Sequence, residues 1–128
     1  MKTKLIIRIL LLAGIGFASF IACTYDEVLP PDLDPGEEIS FSQDILPIFD
    51  RSCNGAGCHN GSGPPPDLRP ANAYDALWTG GYIMLETPDQ SDLYLWMTNV
   101  KGPMPPLATN PTDNAVVLQW ITQGAENN

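Results

Sequence analysis

The run Cys53-Asn54-Gly55-Ala56-Gly57-Cys58-His59 constrains this chain more than any other stretch, because it sets two thiols a short loop apart and follows the second with the only histidine. That order suits one chemistry in particular: two thioether bonds to the vinyl groups of a haem, with the adjacent imidazole as the proximal iron ligand. The usual spacing places two residues between the cysteines; here there are four, with Gly55 and Gly57 free to let the loop bulge. A covalent haem would also fill the interior of a chain too short to build a large apolar core.

Other uses of these residues fail on counting. A closed zinc site or an iron–sulfur cluster generally wants four Cys or His ligands, and Cys53, Cys58 and His59 supply three. A Cys–His nucleophile pair normally draws its partners from distant parts of the sequence. A Cys53–Cys58 disulfide in an exported binding domain, with His59 incidental, stays open as an alternative.

The N-terminus points to export. Residues 1–22 carry Lys2, Lys4 and Arg8, then an apolar stretch from Ile9 to Ile21 that is short for a membrane-spanning helix. Phe20-Ile21-Ala22-Cys23 resembles a bacterial lipobox, although leucine is usual where Phe20 stands. The resemblance implies cleavage before Cys23, lipidation of that residue and a firm multi-chain anchor. With Thr24 rather than aspartate next, it implies passage to the outer membrane of a bacterial envelope, facing the periplasm or the cell surface. An ordinary cleaved signal that leaves Cys23 free is the alternative.

Removing the segment that holds Lys2, Lys4 and Arg8 would take the formal charge from -9 to -12. Phosphate backbones would repel such a surface, which excludes nucleic acid as a partner. A protein partner is expected to offer a basic or an apolar docking face. Residues 23–39, with Pro30, Pro31, Pro35 and six acidic residues between Asp26 and Glu38, read as an extended, solvated linker. At about 3.1 Å per residue it would reach roughly 50 Å. The folded domain is expected over 40–128.

Within that domain the pattern predicts a mainly α fold of about four short helices joined by proline-rich loops, with little to suggest strands. The helices fall at about 42–50 (Ser40 or Ser42 as N-cap, Pro47 bending or shortening it), 72–78, 91–99, and from Pro111 to just before Gly124.

Several pieces then resemble one family in order and spacing: Ile45-Leu46-Pro47-Ile48-Phe49, Cys58-His59, Ser91-Asp92-Leu93-Tyr94, Met104-Pro105-Pro106, and Leu118-Gln119-Trp120-Ile121 with Gly124-Ala125. The domain is similar to single-haem, class I c-type cytochromes, closest to the small proline-rich domains common in planctomycetes and Bacteroidetes. The four-residue loop between the cysteines departs from that pattern and puts recognition by the usual assembly machinery in question. The resemblance implies one covalent haem c wrapped by the helices, and a packing contact of Phe49 with Trp120. It also implies Met104 as the distal ligand, in a loop restricted by flanking prolines, with Met84 a less favoured substitute and Met97 in the core. Pro66 resembles the proline whose carbonyl accepts from the proximal imidazole, with Pro64 and Pro65 as competitors. Arg69 has two roles open, pairing with a haem propionate or standing as an ordinary surface arginine. Trp78 and Trp96 read as packing residues. The function implied is single-electron transfer without bond chemistry; a haem-based sensor is the alternative if Met104 does not coordinate.

The anchor is directly testable. Wild-type protein should fractionate with membranes and incorporate labelled palmitate, whereas Cys23→Ser should be soluble or remain unprocessed. Mature-length Cys23→Ser that still pellets with membranes would exclude lipidation at this residue.

Overall fold

The computed structural model describes residues 33–34, 36–102, 104–106 and 109–128; the expected signal segment, Cys23, linker residues 24–32 and Pro103 lie outside them. A π-helical turn, Phe41–Ile45, runs directly into α1 (Leu46–Ser52). Then follow α2 (Ala73–Thr79), a 3-10 turn Pro88–Gln90, α3 (Asp92–Met97) and α4 (Pro111–Thr122), with no strand among the described residues. The fold is mainly helical, as the sequence pattern predicts. None of the described helices is long and apolar enough to cross a membrane.

Ser40 caps the first helical segment. Its Oγ accepts from the Gln43 N–H at 3.2 Å, while the Asp44 carboxylate accepts from the Ser40 N–H at 2.8 Å. This reciprocal pair satisfies donors that a helix start leaves open. Pro47 explains the change of helix type. The Leu46 N–H reaches back five residues to the Phe41 carbonyl, so the ladder is already offset when the proline, which has no N–H, arrives in the first turn of α1. Pro111 opens α4 in the same permissive position, with the Asn110 side chain accepting from the Thr112 and Asp113 N–H groups at 3.0 and 3.4 Å. α3 stops short of the expected 99, where Thr98 Oγ1 turns back onto the Tyr94 carbonyl at 2.9 Å and Asn99 takes a φ of 66°.

The core centres on an aromatic group. The Phe41 ring centroid lies 5.2 Å from Trp120, 5.3 Å from Tyr74 and 6.4 Å from Phe49. The expected contact of Phe49 with Trp120 is therefore organised through Phe41, a residue the helix pattern placed outside the first helix. Ile45, Ile48, Leu77, Val117 and Ile121 complete the buried interior, and Met97 joins it as expected. An ion pair ties α1 to α4: Arg51 Nη2 meets the Asp113 carboxylate oxygens at 2.7 and 2.8 Å. Trp78 packs against Tyr74, ring centroids 6.2 Å apart, and Trp96 lies over Gly102, but each stays 37% exposed at the surface.

The folded unit also begins earlier than residue 40. Ile39 is buried in the core, and its N–H donates to Gln123 Oε1 at 2.9 Å. Gln119 Nε2 donates to the carbonyls of Asp34 and Glu37, and Gln123 Nε2 donates to that of Glu37. The C-terminal end of the proposed linker is thus part of the domain, held by two glutamines one turn apart on and just beyond α4.

Truncating Phe41 removes the shared contact of three elements, so Phe41→Ala should cost about 3–5 kcal/mol. Tyr74→Phe, which loses only the bond from its hydroxyl to the Ala125 carbonyl at 3.1 Å, should cost about 1 kcal/mol. Urea denaturation followed by circular dichroism checks both values; equal losses would mean that Phe41 is not the hub.

Candidate functional site

α1 delivers the first thiol. Its last turn ends at Cys53, whose N–H donates to the Phe49 carbonyl at 2.8 Å. From there the chain makes a tight excursion: the Cys58 N–H donates to the Gly55 carbonyl at 2.9 Å, and the His59 N–H returns to the Cys53 carbonyl at 3.0 Å. The extra residues are thereby absorbed in a closed loop that brings His59 back to the end of α1. Gly57 takes a φ of 77° on this loop, a conformation glycine adopts without steric cost. Both thiols are unbonded and half-buried.

The imidazole is held by the segment that follows. His59 Nδ1 lies 3.1 Å from the carbonyl oxygen of Pro64 and 3.1 Å from that of buried Pro66. A carbonyl can only accept, so Nδ1 carries the proton, and in the neutral ring Nε2 keeps its lone pair. The His59 carbonyl in turn accepts from the Leu68 N–H at 2.8 Å. Cys53, Cys58, His59 and Pro66 therefore form one connected unit.

Two further residues make that unit possible, and neither was identified from the sequence. A Cβ at Gly63 would overlap the Cys58 carbonyl, so only glycine allows the returning segment to lie against the cysteine loop. Asn54 Nδ2 donates to the Leu68 carbonyl at 2.9 Å, bracing the loop from inside. The Asn60-Gly61-Ser62-Gly63 run signals a turn in sequence, but the contact that demands glycine at 63 is non-local.

Arg69 already has a partner. Its guanidinium packs over Gly61 and pairs with Asp67 at 2.6 Å, so a propionate would have to compete with an existing partner. Hydrogen bonds from Arg69 and then Asn72 hold the Asp67 carboxyl well below the usual carboxylate range. Met104 is half-buried in the loop between α3 and α4, on a separate stretch of chain from the cysteines, and Met84 is exposed. Among the described residues no group of three or more His, Cys, Asp or Glu side chains gathers as a metal site. A cavity of about 240 Å³ lined by Glu38, Ile39, Trp120 and Gln123 involves none of the residues above.

No protein-family model, no curated protein and no solved structure matches the chain.

The two thiols differ in environment. Burial, and after it the Asp113 carboxylate, push the Cys53 thiol up from 9.0 to about 11. At pH 8 its thiolate fraction is then about one in a thousand. In the haem-free chain, native Cys53 should react with iodoacetamide roughly tenfold more slowly than in urea, since the greater basicity of a high-pKa thiolate offsets part of its scarcity. Peptide mapping by mass spectrometry reads the ratio. The linkage has a definite sign: the folded-state pKa is raised, so this group's contribution to stability is full below pH 9 and is lost as pH rises through about 11. Replacing Cys53 with serine should flatten the stability profile across that window.

Proposed function

We propose that this protein is a monohaem c-type cytochrome, exported and lipid-anchored, that passes single electrons between partners in a bacterial envelope. One observation carries the reading. His59 donates through Nδ1 to the Pro66 and Pro64 carbonyls, which leaves Nε2 as a fixed lone-pair donor directly after two unbonded thiols. This is the donor arrangement a proximal haem ligand needs: one nitrogen engaged by the protein, which orients the other toward a metal.

The residues fit one haem c. Cys53 and Cys58 would hold it through thioether bonds, and the His59 imidazole and the neutral thioether of Met104 would ligate the iron. When bound, the group supplies an iron centre that takes up and gives back one electron. The chain's part is to fix the ligands. Closure of the loop onto Cys53 and the clamp on Nδ1 keep the imidazole in one orientation, so little rearrangement accompanies a change of charge at the site. A Met/His pair raises the reduction potential and leaves no position open to substrate, which is why the function proposed is carriage and not bond chemistry. Docking would involve a redox partner with a basic or apolar face, while the lipid on Cys23 holds the protein to the membrane.

Protein made with a cytochrome c maturation system should show one haem that stays attached after denaturation and acid extraction. The Cys53→Ala, Cys58→Ala double variant should lose it. Haem present only in the native state would indicate a non-covalent site; absence of haem together with a Cys53–Cys58 disulfide would favour a binding module. Oxidised wild type should also display the weak near-infrared sulfur-to-iron band, and Met104→Ala should abolish it and admit carbon monoxide to the reduced form. A wild type that binds carbon monoxide at once would favour a sensor.

A further inference from the structure

We propose that Asn54 is a positioning residue for His59, setting the hydrogen bond on Nδ1 and through it the electron-donating strength of Nε2. The electronic part of this inference rests on the reading of His59 as a proximal iron ligand.

The four residues between Cys53 and Cys58 include two glycines, so the loop has little stiffness of its own. Asn54 removes that freedom at both ends. Its N–H donates to the Phe49 carbonyl at 3.0 Å, and its Nδ2 donates to the Leu68 carbonyl at 2.9 Å. Leu68 donates its own N–H to the His59 carbonyl at 2.8 Å and stands two residues beyond Pro66, whose carbonyl faces Nδ1 at 3.1 Å. A single amide side chain therefore links the end of α1 to the segment that carries the imidazole's acceptor.

The other atom of that amide shows which half of the side chain matters. Asn54 Oδ1 is buried and has no hydrogen-bond partner among the described residues. Rotating the amide does not relieve it, because an oxygen would then face the oxygen of Leu68. An unpaired buried acceptor is unfavourable, and an apolar residue of similar size would avoid it. What an apolar residue cannot supply is the Nδ2 donor. The position keeps an amide for its N–H, and that N–H holds the segment carrying Pro66 against the ring.

With two carbonyls at equal distance, the Nδ1 proton is shared and Nε2 is correspondingly a stronger electron donor toward a metal. A stronger donor favours ferric iron, so loosening the segment should raise the reduction potential.

The test uses full-length protein as purified, reduced so that any haem is diamagnetic. Solvent exchange of the His59 Nδ1 proton is followed by NMR in wild type, Asn54→Leu and Ser62→Ala; Ser62 lies in the neighbouring turn between His59 and Pro64 and, among the described residues, bonds only to Asn60 at 2.8 and 3.3 Å. Asn54→Leu should exchange at least tenfold faster with helical circular dichroism unchanged, and its potential should shift upward. Ser62→Ala should match wild type in both. Unchanged exchange in Asn54→Leu, or equal acceleration in Ser62→Ala, overturns the role. Should Asn54→Leu fail to fold, wild type still decides: the bonded Asn54 Nδ2 proton and the His59 Nδ1 proton should exchange through one common opening, and clearly different opening rates overturn the proposal. Haem attachment is read separately from the absorption spectrum. Its absence would overturn the functional reading, while the exchange rates would still decide whether Asn54 positions the ring.

Discussion

Phe41 meets one aromatic ring from each of three segments, Phe49 on α1, Tyr74 on α2 and Trp120 on α4, and the rest of the molecule depends on that meeting. A domain of this size buries too little apolar surface for redundancy, so a ring shared by three helices matters more than it would in a larger core. Offset and edge-on aromatic pairs add about 0.5–1.5 kcal/mol each beyond the area they bury. The start of the first helix serves the same end. Its π turn, imposed by Pro47, is the segment that carries Phe41, and the backbone N–H of Phe41 donates to the Asn128 side chain at 2.8 Å. The Arg51–Asp113 pair then ties the end of α1 to the start of α4. Half-exposed on the arginine side, it contributes little energy of its own, and its value lies in orientation.

That frame ends where the chemistry begins. Cys53 is both the cap of α1 and the first thiol, so the position of the cysteine loop is inherited from the end of α1. Between Cys53 and the start of α2 at Ala73 there is no regular secondary structure, and each backbone group must find a partner singly. The loop finds them in the Cys53 carbonyl, the Leu68 backbone and the prolines after His59, with Gly63 allowing the two segments to touch. The four residues between the thiols close their hydrogen bonds locally and leave the position of His59 relative to α1 defined.

Much of this was legible in the sequence, and the division has a physical cause. Pro111, Gly124 and the capping serine mark helix ends through local backbone chemistry, and the observed boundaries follow them closely. The thiols and the imidazole were legible as a group because they stand close together in the chain. Asn54 and Gly63 were not, since each is defined by a contact with a residue several positions away that only the folded path brings near. The segment from Asp34 to Ile39 misled for a related reason. Acidic and proline-rich composition describes how a chain behaves alone, whereas its carbonyls are claimed by Gln119 and Gln123 on the far side of the sequence. Phe41 was passed over because helical periodicity credits residues inside a helix, and a π turn breaks that period.

Electrostatics adds a last constraint on the proposed carrier. Among the described residues the lysines and arginines are Arg51, Arg69 and Lys101, and each is paired with an aspartate. The carboxylates of Asp50, Asp75, Glu86 and Glu126 have no such counter-charge, so the outward field has one sign. Screened beyond about 8 Å at physiological ionic strength, a field of this kind hastens encounter with a basic partner but discriminates poorly among orientations. Orientation then has to come from contacts of short range. The exposed apolar side chains of Trp78, Met84, Leu85, Trp96 and Val100 are of the right chemical kind for that task. In such a division of labour charge sets how often partners meet, and apolar fit decides which meetings bring the redox centres close enough for transfer.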